Sequence, residues 1–293
     1  MHEIINRMCD VVDRHATEPR FATPISGLRL FRMPTSVESM HLFYNPRVCI
    51  ILRGSKKVDL AGAHFDADPA TFLIVTVDLP VSSRVFAAPD DPFHIALTLD
   101  LDRGLLAELL QRQPSQTISS TSLAGLSAAP MTGELLGAFA RLLDLLDHPE
   151  DLDVLSPLLL REIHHRMLRS ASGALLAQFA VSGSHLWQIA KATSWIRANF
   201  REAVSIETLA ELAGMSVTSF HRHFKAVTMM TPIEYRTQLR LQEARRMLLS
   251  EKPTAAVAGL AVGYDSQSQF SRDYKRAFGA PPATDVARLK NAG

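Results

Sequence analysis

The last third of the chain holds an imperfect internal repeat, and this limits the possible folds more than any other feature. Ser216 and Ser266, Phe220 and Phe270, Arg222 and Arg272, and Lys225 and Lys275 each stand 50 residues apart. The glycines before them, Gly214 and Gly263, stand 49 apart, so the second turn is one residue longer. A repeat that keeps a capping hydroxyl, a core aromatic and a cation in register describes one supersecondary unit used twice.

Each copy reads as helix, tight turn, helix. In the first, Ser205 is an N-cap, and Ile206, Leu209, Ala210 and Ala213 form one apolar face. Gly214 then supplies the left-handed conformation that ends a helix. Ser216 caps the next helix, with Val217, Phe220 and Phe224 directed to the core. The opposite stripe is Thr218, His221, Arg222 and Lys225, at i, i+3, i+4 and i+7. In the second copy Thr254 caps, Ala258 and Ala261 face inward, Gly263 breaks and Ser266 caps again. Phe270, Tyr274 and Ala277 make the core stripe, and Gln267, Ser268, Ser271, Arg272 and Lys275 face out.

A second helix with a free polar, cationic face is the helix-turn-helix design, in which that helix enters the major groove. Arg bridges guanine O6 and N7, and Gln bridges adenine N6 and N7. Capping hydroxyls, helix N-terminal amides and Lys suit phosphate. The competing reading is a helical bundle whose polar faces are merely solvated. Between the copies, Thr231 caps a helix with Pro232 at its first position. Running over 232–249, that helix is about 27 Å long at ~1.5 Å per residue. It is a strut able to hold two recognition helices near the ~34 Å period of the duplex.

Charge follows the same division. From Ile189 to Gly293 there are 15 Lys+Arg and 9 Asp+Glu, a net +6; the preceding residues carry 16 and 21, a net −5. A basic segment on an acidic body suits a polyanion-binding module joined to a sensor. The 293 residues fit two domains, and 47% hydrophobic with 21% charged residues is ordinary for a globular protein. No apolar run is long enough to span a membrane, and the start has no signal-peptide pattern. Two cysteines, Cys9 and Cys49, make neither a disulfide framework nor a zinc site. A cytoplasmic location is expected.

Towards the front, short β-like runs occupy 27–33, 47–53, 56–60, 71–77 and 93–99, separated by turn residues such as Asn45-Pro46, Gly54-Ser55 and Asp68-Pro69. Strands at this spacing predict an antiparallel sandwich or barrel. A short helix is expected at 103–111, a loop at 113–129, amphipathic helices at 131–146 and 153–169, and a linker at 170–184. In the second amphipathic helix Leu155, Leu158, Leu159, Ile163 and Met167 share one stripe. Such helices close a sensor core or supply a dimer interface.

The C-terminal segment resembles the AraC/XylS family of transcription regulators. The phrases are Leu209-Ala, Ala213-Gly-Met-Ser, Phe220-His-Arg-His-Phe-Lys, Thr231-Pro-Ile-Glu-Tyr, Leu239-Arg-Leu-Gln-Glu-Ala-Arg, Val262-Gly-Tyr-Asp-Ser-Gln-Ser-Gln-Phe-Ser-Arg and Phe278-Gly-Ala-Pro-Pro. The resemblance implies base-facing positions at Thr218, His221, Arg222, Gln267, Ser268 and Arg272. It implies DNA-backbone positions at Ser216, Lys225, Ser266 and Lys275. Gly259 departs from the pattern, where Ala is expected; either the second unit is less stable or two helices approach closely there.

The front is similar to the N-terminal domain of one branch of that family, through Thr71-Phe-Leu-Ile-Val-Thr-Val-Asp-Leu-Pro-Val, Leu97-Thr-Leu-Asp-Leu-Asp and Pro157-Leu-Leu-Leu-Arg-Glu-Ile. This implies a small cupin-like barrel followed by helices. The expected fold is therefore α+β in two domains: a cupin-like antiparallel β-barrel with following helices, then an all-α double helix-turn-helix. Expected boundaries are 1–26 extension, 27–112 barrel, 113–184 helical dimerisation and linker region, and 185–293 DNA-binding domain. The implied partners are a promoter or operator duplex, a small-molecule effector, a second copy of the chain and RNA polymerase.

A barrel interior is a natural pocket. The candidate lining is His41, Phe43, Tyr44, Arg47, Arg53 and His94, each of which can equally be a rim residue. The basic stretch 53–57 reads as a hairpin tip, open to an anion such as a nucleotide phosphate or to the acidic flank of another domain, although such a tip is most often merely solvated. No expected strand carries a His-x-His pair, and no nucleotide-loop or nucleophile-elbow motif occurs, so no enzyme, metal or cofactor is expected. Two other classes stay open: a redox or electrophile sensor acting through Cys49, and a nucleic-acid-packaging protein without sensing.

Overall fold

A helix that the sequence reading left inside an unassigned extension opens the chain. It is α1 (His2–His15), which buries Ile5, Met8, Cys9 and Val12 at helical spacing. The computed structural model describes residues 1–34, 37–89, 91–112, 124–250 and 253–291. It divides into the units Met1–Ala190 and Lys191–Gly293.

In the first unit α1 is followed by β1 (Arg20–Ala22), β2 (Leu28–Pro34), β3 (Val37–Tyr44), β4 (Arg47–Arg53), β5 (Ser55–Leu60), β6 (Ala63–Ala67), β7 (Thr71–Val75), β8 (Leu79–Phe86) and β9 (Phe93–Asp100). Then come α2 (Arg103–Gln111), β10 (Leu126–Pro130), α3 (Gly133–Asp144), α4 (Leu152–Leu168), α5 (Gly173–Ala180) and α6 (His185–Ala198), within which the division falls. One sheet has the order β1-β2-β9-β4-β7-β10 and the other β3-β8-β5-β6. Neighbours pair antiparallel, and β4 and β9 lie at the centre of the larger sheet, buried on both faces. This is the expected barrel of two antiparallel sheets, followed by helices.

Several expectations are corrected. The loop at 113–129 gives way at its end to β10, which pairs with β7 from Leu126↔Val75 to Pro130↔Thr71; 113–123 lie outside the described residues. Beyond Leu126, β10 offers only Ser, Ala and Pro, which hides a strand from pattern reading. The linker at 170–184 contains α5, buried on nearly every side. In α4 the stripe is only half used. Ile163 and Met167 are fully buried, but Leu155 and Leu158 are 37% and 60% exposed. The extension is anchored at Asp147, which forms an ion pair with Arg14 of α1 at 2.6 Å and a hydrogen bond with His15 Nε2 at 2.8 Å.

The second unit contains α7 (Ile206–Ala213), α8 (Val217–Thr228), α9 (Pro232–Ser250), α10 (Ala255–Ala261), α11 (Gln267–Phe278) and α12 (Pro282–Asn291). Its caps form as expected. Ser205, Ser216, Thr254 and Ser266 each accept from the amide three residues on, at 3.0 to 3.4 Å. Thr231 and Glu234 add a reciprocal capping box at the start of α9. Gly214 and Gly263 both take positive φ, +66° and +92°. Gly263 is doubly constrained, since a Cβ there would lie 2.4 Å from the Arg201 carbonyl oxygen.

The core of the second copy is aromatic: Tyr264, Phe270, Tyr274 and Phe278 pack edge to face in series, with centroids 4.5 to 5.6 Å apart. Beneath it lies a buried polar knot. Arg245 of α9 donates twice to Asp285 of α12, at 2.8 and 3.0 Å, and Tyr274 Oη of α11 donates to the same carboxylate at 2.9 Å. Three helices thus meet at one side chain with no solvent exposure. Replacing Asp285 with Ala leaves the Arg245 guanidinium buried and unpaired. The expected loss is about 3–5 kcal/mol in the unfolding transition of this unit, followed in denaturant. Arg276→Ala, which breaks an exposed pair with Asp273, is expected to change the same transition by under about 1 kcal/mol.

Candidate nucleic-acid interface and candidate ligand cavity

The aromatic faces of α8 and α11 fix which faces stay free. Phe220 and Phe224 are fully buried, with Phe224 edge-on to Tyr235 of α9 at 5.5 Å. Phe270 and Tyr274 hold α11 in the same way. Thr218, His221, Arg222 and Lys225 are therefore exposed together on α8, and Gln267, Ser268, Arg272 and Lys275 on α11. Lys225, Arg272 and Lys275 make no ion pair with any described residue. Ser216 and Ser266 spend an oxygen lone pair on their cap amides, and each hydroxyl proton remains available to a phosphate. Val217, expected in the core, is 39% exposed beside its cap, at the end of α8 where the helix meets solvent.

The second turn is held from behind by Arg240 of α9. It donates to the carbonyls of Phe200 at 2.7 Å, Arg201 at 2.9 Å and Gly263 at 2.7 Å. One guanidinium thereby ties the second turn to the segment after α6. Pattern reading missed this, because Arg240 looks like any polar position on an exposed helix face.

In the first unit, strand parity builds a cavity of about 200 Å³ between the two sheets. Successive side chains of a strand point to opposite faces. His94, Ala96 and Thr98 of β9, Arg47 and Cys49 of β4, and Met40, Leu42 and Tyr44 of β3 reach it, joined by Phe43. Of the six expected lining residues, Phe43, Tyr44, Arg47 and His94 meet there. His41 stands opposite Ser82 in the β3–β8 ladder and does not line it. Arg53 also lies elsewhere, paired with Asp91.

Lys56 was missed. Read as part of a solvated tip, it instead lines the cavity, its Nζ 3.9 Å from Cys49 Sγ and 5.1 Å from the Tyr44 ring centroid. The signal was present in β5, where Lys56 shares parity with buried Val58 and Leu60. Lys57, one residue on, is exposed. Arg29 lines the cavity but is held by Asp100 at 3.0 and 3.1 Å.

Several polar atoms on this wall are buried without a hydrogen-bond partner: Tyr44 Oη, Thr98 Oγ1 and His94 Nδ1. Burial, then the nearby Lys56 charge, pushes His94 down to about 4, so its ring is neutral at pH 7. Cys9, in the α1 packing, is a different environment, where burial raises its thiol to about 11.

A family model described as the AraC-type transcriptional regulator N-terminus matches residues 24–175. The chain belongs to the AraC-type transcriptional regulators. A second model, a helix-turn-helix domain, matches residues 209–288. The HTH-type transcriptional activator RhaS of Pectobacterium carotovorum subsp. carotovorum (strain PC1) is 32% identical over 101 residues, covering 34% of this chain and 36% of its own length. The RCS-specific HTH-type transcriptional activator RclR of Escherichia coli (strain K12) is 32% identical over 124 residues, 42% of this chain and 38% of its own. The chain thus spans little more than a third of these relatives.

The fold of this AraC-type chain is similar to that of ToxT from Vibrio cholerae strain SCE256, solved with an unsaturated fatty acid. The TM-score is 0.56 at 9% identity, covering 92% of this chain and 95% of that one. At that identity the likeness concerns the fold alone.

The neutral His94 has a consequence for this regulator's stability. In the folded state its pKa lies near 4, against 6.5 for the free side chain. Between those values the unfolded chain binds the extra proton, so stability falls as pH falls through this window and is unaffected by His94 above it. The loss approaches about 3 kcal/mol at pH 4. Denaturant unfolding of the first unit at stepped pH checks this, and a His94→Gln variant is expected to flatten that part of the profile.

Proposed function

We propose that this AraC-type regulator binds a defined site on double-stranded DNA by placing α8 and α11 in successive major-groove turns. Thr218, His221, Arg222, Gln267, Ser268 and Arg272 then face base edges, and Ser216, Lys225, Ser266 and Lys275 face phosphates. The observation that carries the reading is the pair of exposed polar stripes, each opposite an aromatic face that fixes its direction. The strut α9, 19 residues and about 28 Å long at ~1.5 Å per residue, suits the spacing. The relatives named as transcriptional activators support activation, with RNA polymerase as the partner that such a role requires.

The barrel cavity takes a small-molecule effector that alters the affinity of the chain for DNA. ToxT, whose fold is shared, carries a fatty acid, which supports this reading. Two chains pair through α3 and α4, where Val154, Leu155 and Leu158 present apolar surface to solvent. Sensing through Cys49 is the second reading, favoured by the Lys56 ammonium near its sulfur. Retention of inducer response by Cys49→Ser separates the two.

Sequence-specific reading is distinguished from packaging by which substitutions act on which DNA. Arg222→Ala and Arg272→Ala are each expected to lose about 1–3 kcal/mol of discrimination at one base pair. Lys225→Ala is expected to weaken operator and random duplex alike and to reduce the salt slope by about 1. The measurement is competitive gel shift across base-substituted sites and salt concentrations. Equal losses on specific and random DNA for both arginine variants would remove the base-reading assignment.

A further inference from the structure

We propose that the barrel cavity is a binding site for a compact organic carboxylate, with its charged end between Arg47 and Lys56 and its body against Phe31, Met33 and Leu42. This rests on the effector reading above and adds the charge and size of the effector. Arg47 and Lys56 both turn towards one ring. The Arg47 guanidinium carbon is 5.6 Å from the Tyr44 centroid and the Lys56 Nζ 5.1 Å. Neither forms an ion pair with any described residue. Arg47 Nε donates to the Asn45 carbonyl at 3.2 Å, and the rest of its donor fork reaches no described acceptor. Two like charges drawn together at the edge of an apolar chamber repel one another and lack part of their hydration. A single carboxylate relieves both.

The wall beside them also asks for an acceptor. Tyr44 is 5% exposed and Thr98 4%, and both hydroxyls line the cavity without a hydrogen-bond partner. Each can donate to a carboxylate oxygen, and charge-assisted bonds of this type are the strong ones. A neutral polyol would satisfy the hydroxyls and leave the two cations without a counter-charge. Inorganic phosphate would satisfy the cations and leave Phe31, Met33 and Leu42 against water. Of the other cations on the wall, Arg20 sits at the exposed rim, where it donates to Met40 Sδ at 3.5 Å and stays able to approach the anion from outside. Arg29 is neutralised by Asp100, and His94 carries no charge at pH 7.

Volume sets the size. A cavity of about 150 Å³ holds benzene, so 200 Å³ holds a ring or short chain with one carboxylate added.

The test is titration calorimetry on the full chain at pH 7 and fixed ionic strength. Sodium benzoate and hexanoate are compared with benzyl alcohol, hexanol and inorganic phosphate. Saturable binding of the carboxylates, about tenfold or more tighter than of the alcohols or phosphate, is expected. Lys56→Gln and Arg47→Gln are each expected to weaken benzoate by about tenfold or more, with the alcohols little changed. Absence of carboxylate binding, equal binding of the alcohols, or benzoate affinity indifferent to both variants overturns the proposal. If either variant fails to fold, the comparison on the unaltered chain still decides, and Thr98→Val supplies the second variant. Gel shifts run in parallel separate this idea from the reading beneath it. Benzoate that binds without changing operator affinity keeps the carboxylate site and removes the effector role. Benzyl alcohol that changes operator affinity while benzoate does not keeps the effector role and removes the carboxylate site.

Discussion

A polar group taken out of water must find a partner, and the order of this protein follows from where that rule is met and where it is not. In the second unit two side-chain clusters meet it. Asp285 accepts from Arg245, Tyr274 and Arg288, and Arg240 gathers three main-chain carbonyls. Removing one member of such a set strands the others in low dielectric, so each set behaves as a clamp. The first unit meets the rule at His164. Its Nε2 accepts from the Asp102 amide at 3.1 Å, so Nδ1 carries the proton donated to the Leu160 carbonyl at 2.7 Å. His94, in the same unit and equally buried, has no such pair. The contrast separates a structural histidine from the wall of a site.

Most of the second unit was legible because short-range rules decide it. N-caps, a left-handed glycine and aromatic spacing are all local, and they recur at a fixed offset. What stayed hidden is what local rules do not carry. Arg240 and Arg245 sit on the same helix among similar polar residues, and only the tertiary contacts show that they point at a carbonyl cluster and a buried carboxylate. In the first unit the long apolar strands β4, β7 and β9 were legible. β3, β6 and β8 carry charged, hydroxyl or alanine positions and offer no clean period. β10 and α5 are rich in Ala, Ser and Gly, a composition that reads as loop until a partner strand or a packed helix covers it.

The candidate cavity was half legible for a related reason. Arg47 and His94 lie on strands that were expected, whereas Phe43 and Tyr44 lie on β3, which offered no clean period. Lys56 was assigned by charge and by nearness to Gly54, although parity with Val58 and Leu60 placed it inward. In a two-faced strand, parity is the stronger rule. A one-residue slip that exposed Lys56 would also turn Val58 and Leu60 out of the core, at a hydrophobic cost of roughly 1.5–3 kcal/mol each. The ammonium is held at the cavity by its apolar neighbours, and its charge is available there because the cost of placing it is met elsewhere in the strand.

The two helix-turn-helix copies obey one pattern with unequal packing, and the inequality explains Gly259. In the first copy Leu209 supplies bulk to the core. In the second, α10 is seven residues long, its inward positions include Ala258 and Gly259, and its larger side chains Val257 and Leu260 are 55% and 72% exposed. The bulk comes instead from α11 and the turn, as the Tyr264–Phe270–Tyr274–Phe278 series. For that series to close, α10 must lie against the Phe270 ring, and a Cβ at residue 259 would sit 2.9 Å from it. Of the two readings of Gly259, close approach is therefore the one with a geometric cause. The helix propensity lost to glycine, about 1 kcal/mol, is set against burial of a whole aromatic ring. A methyl group there would push α10 away from α11, and with it the turn that aims Gln267, Ser268 and Arg272.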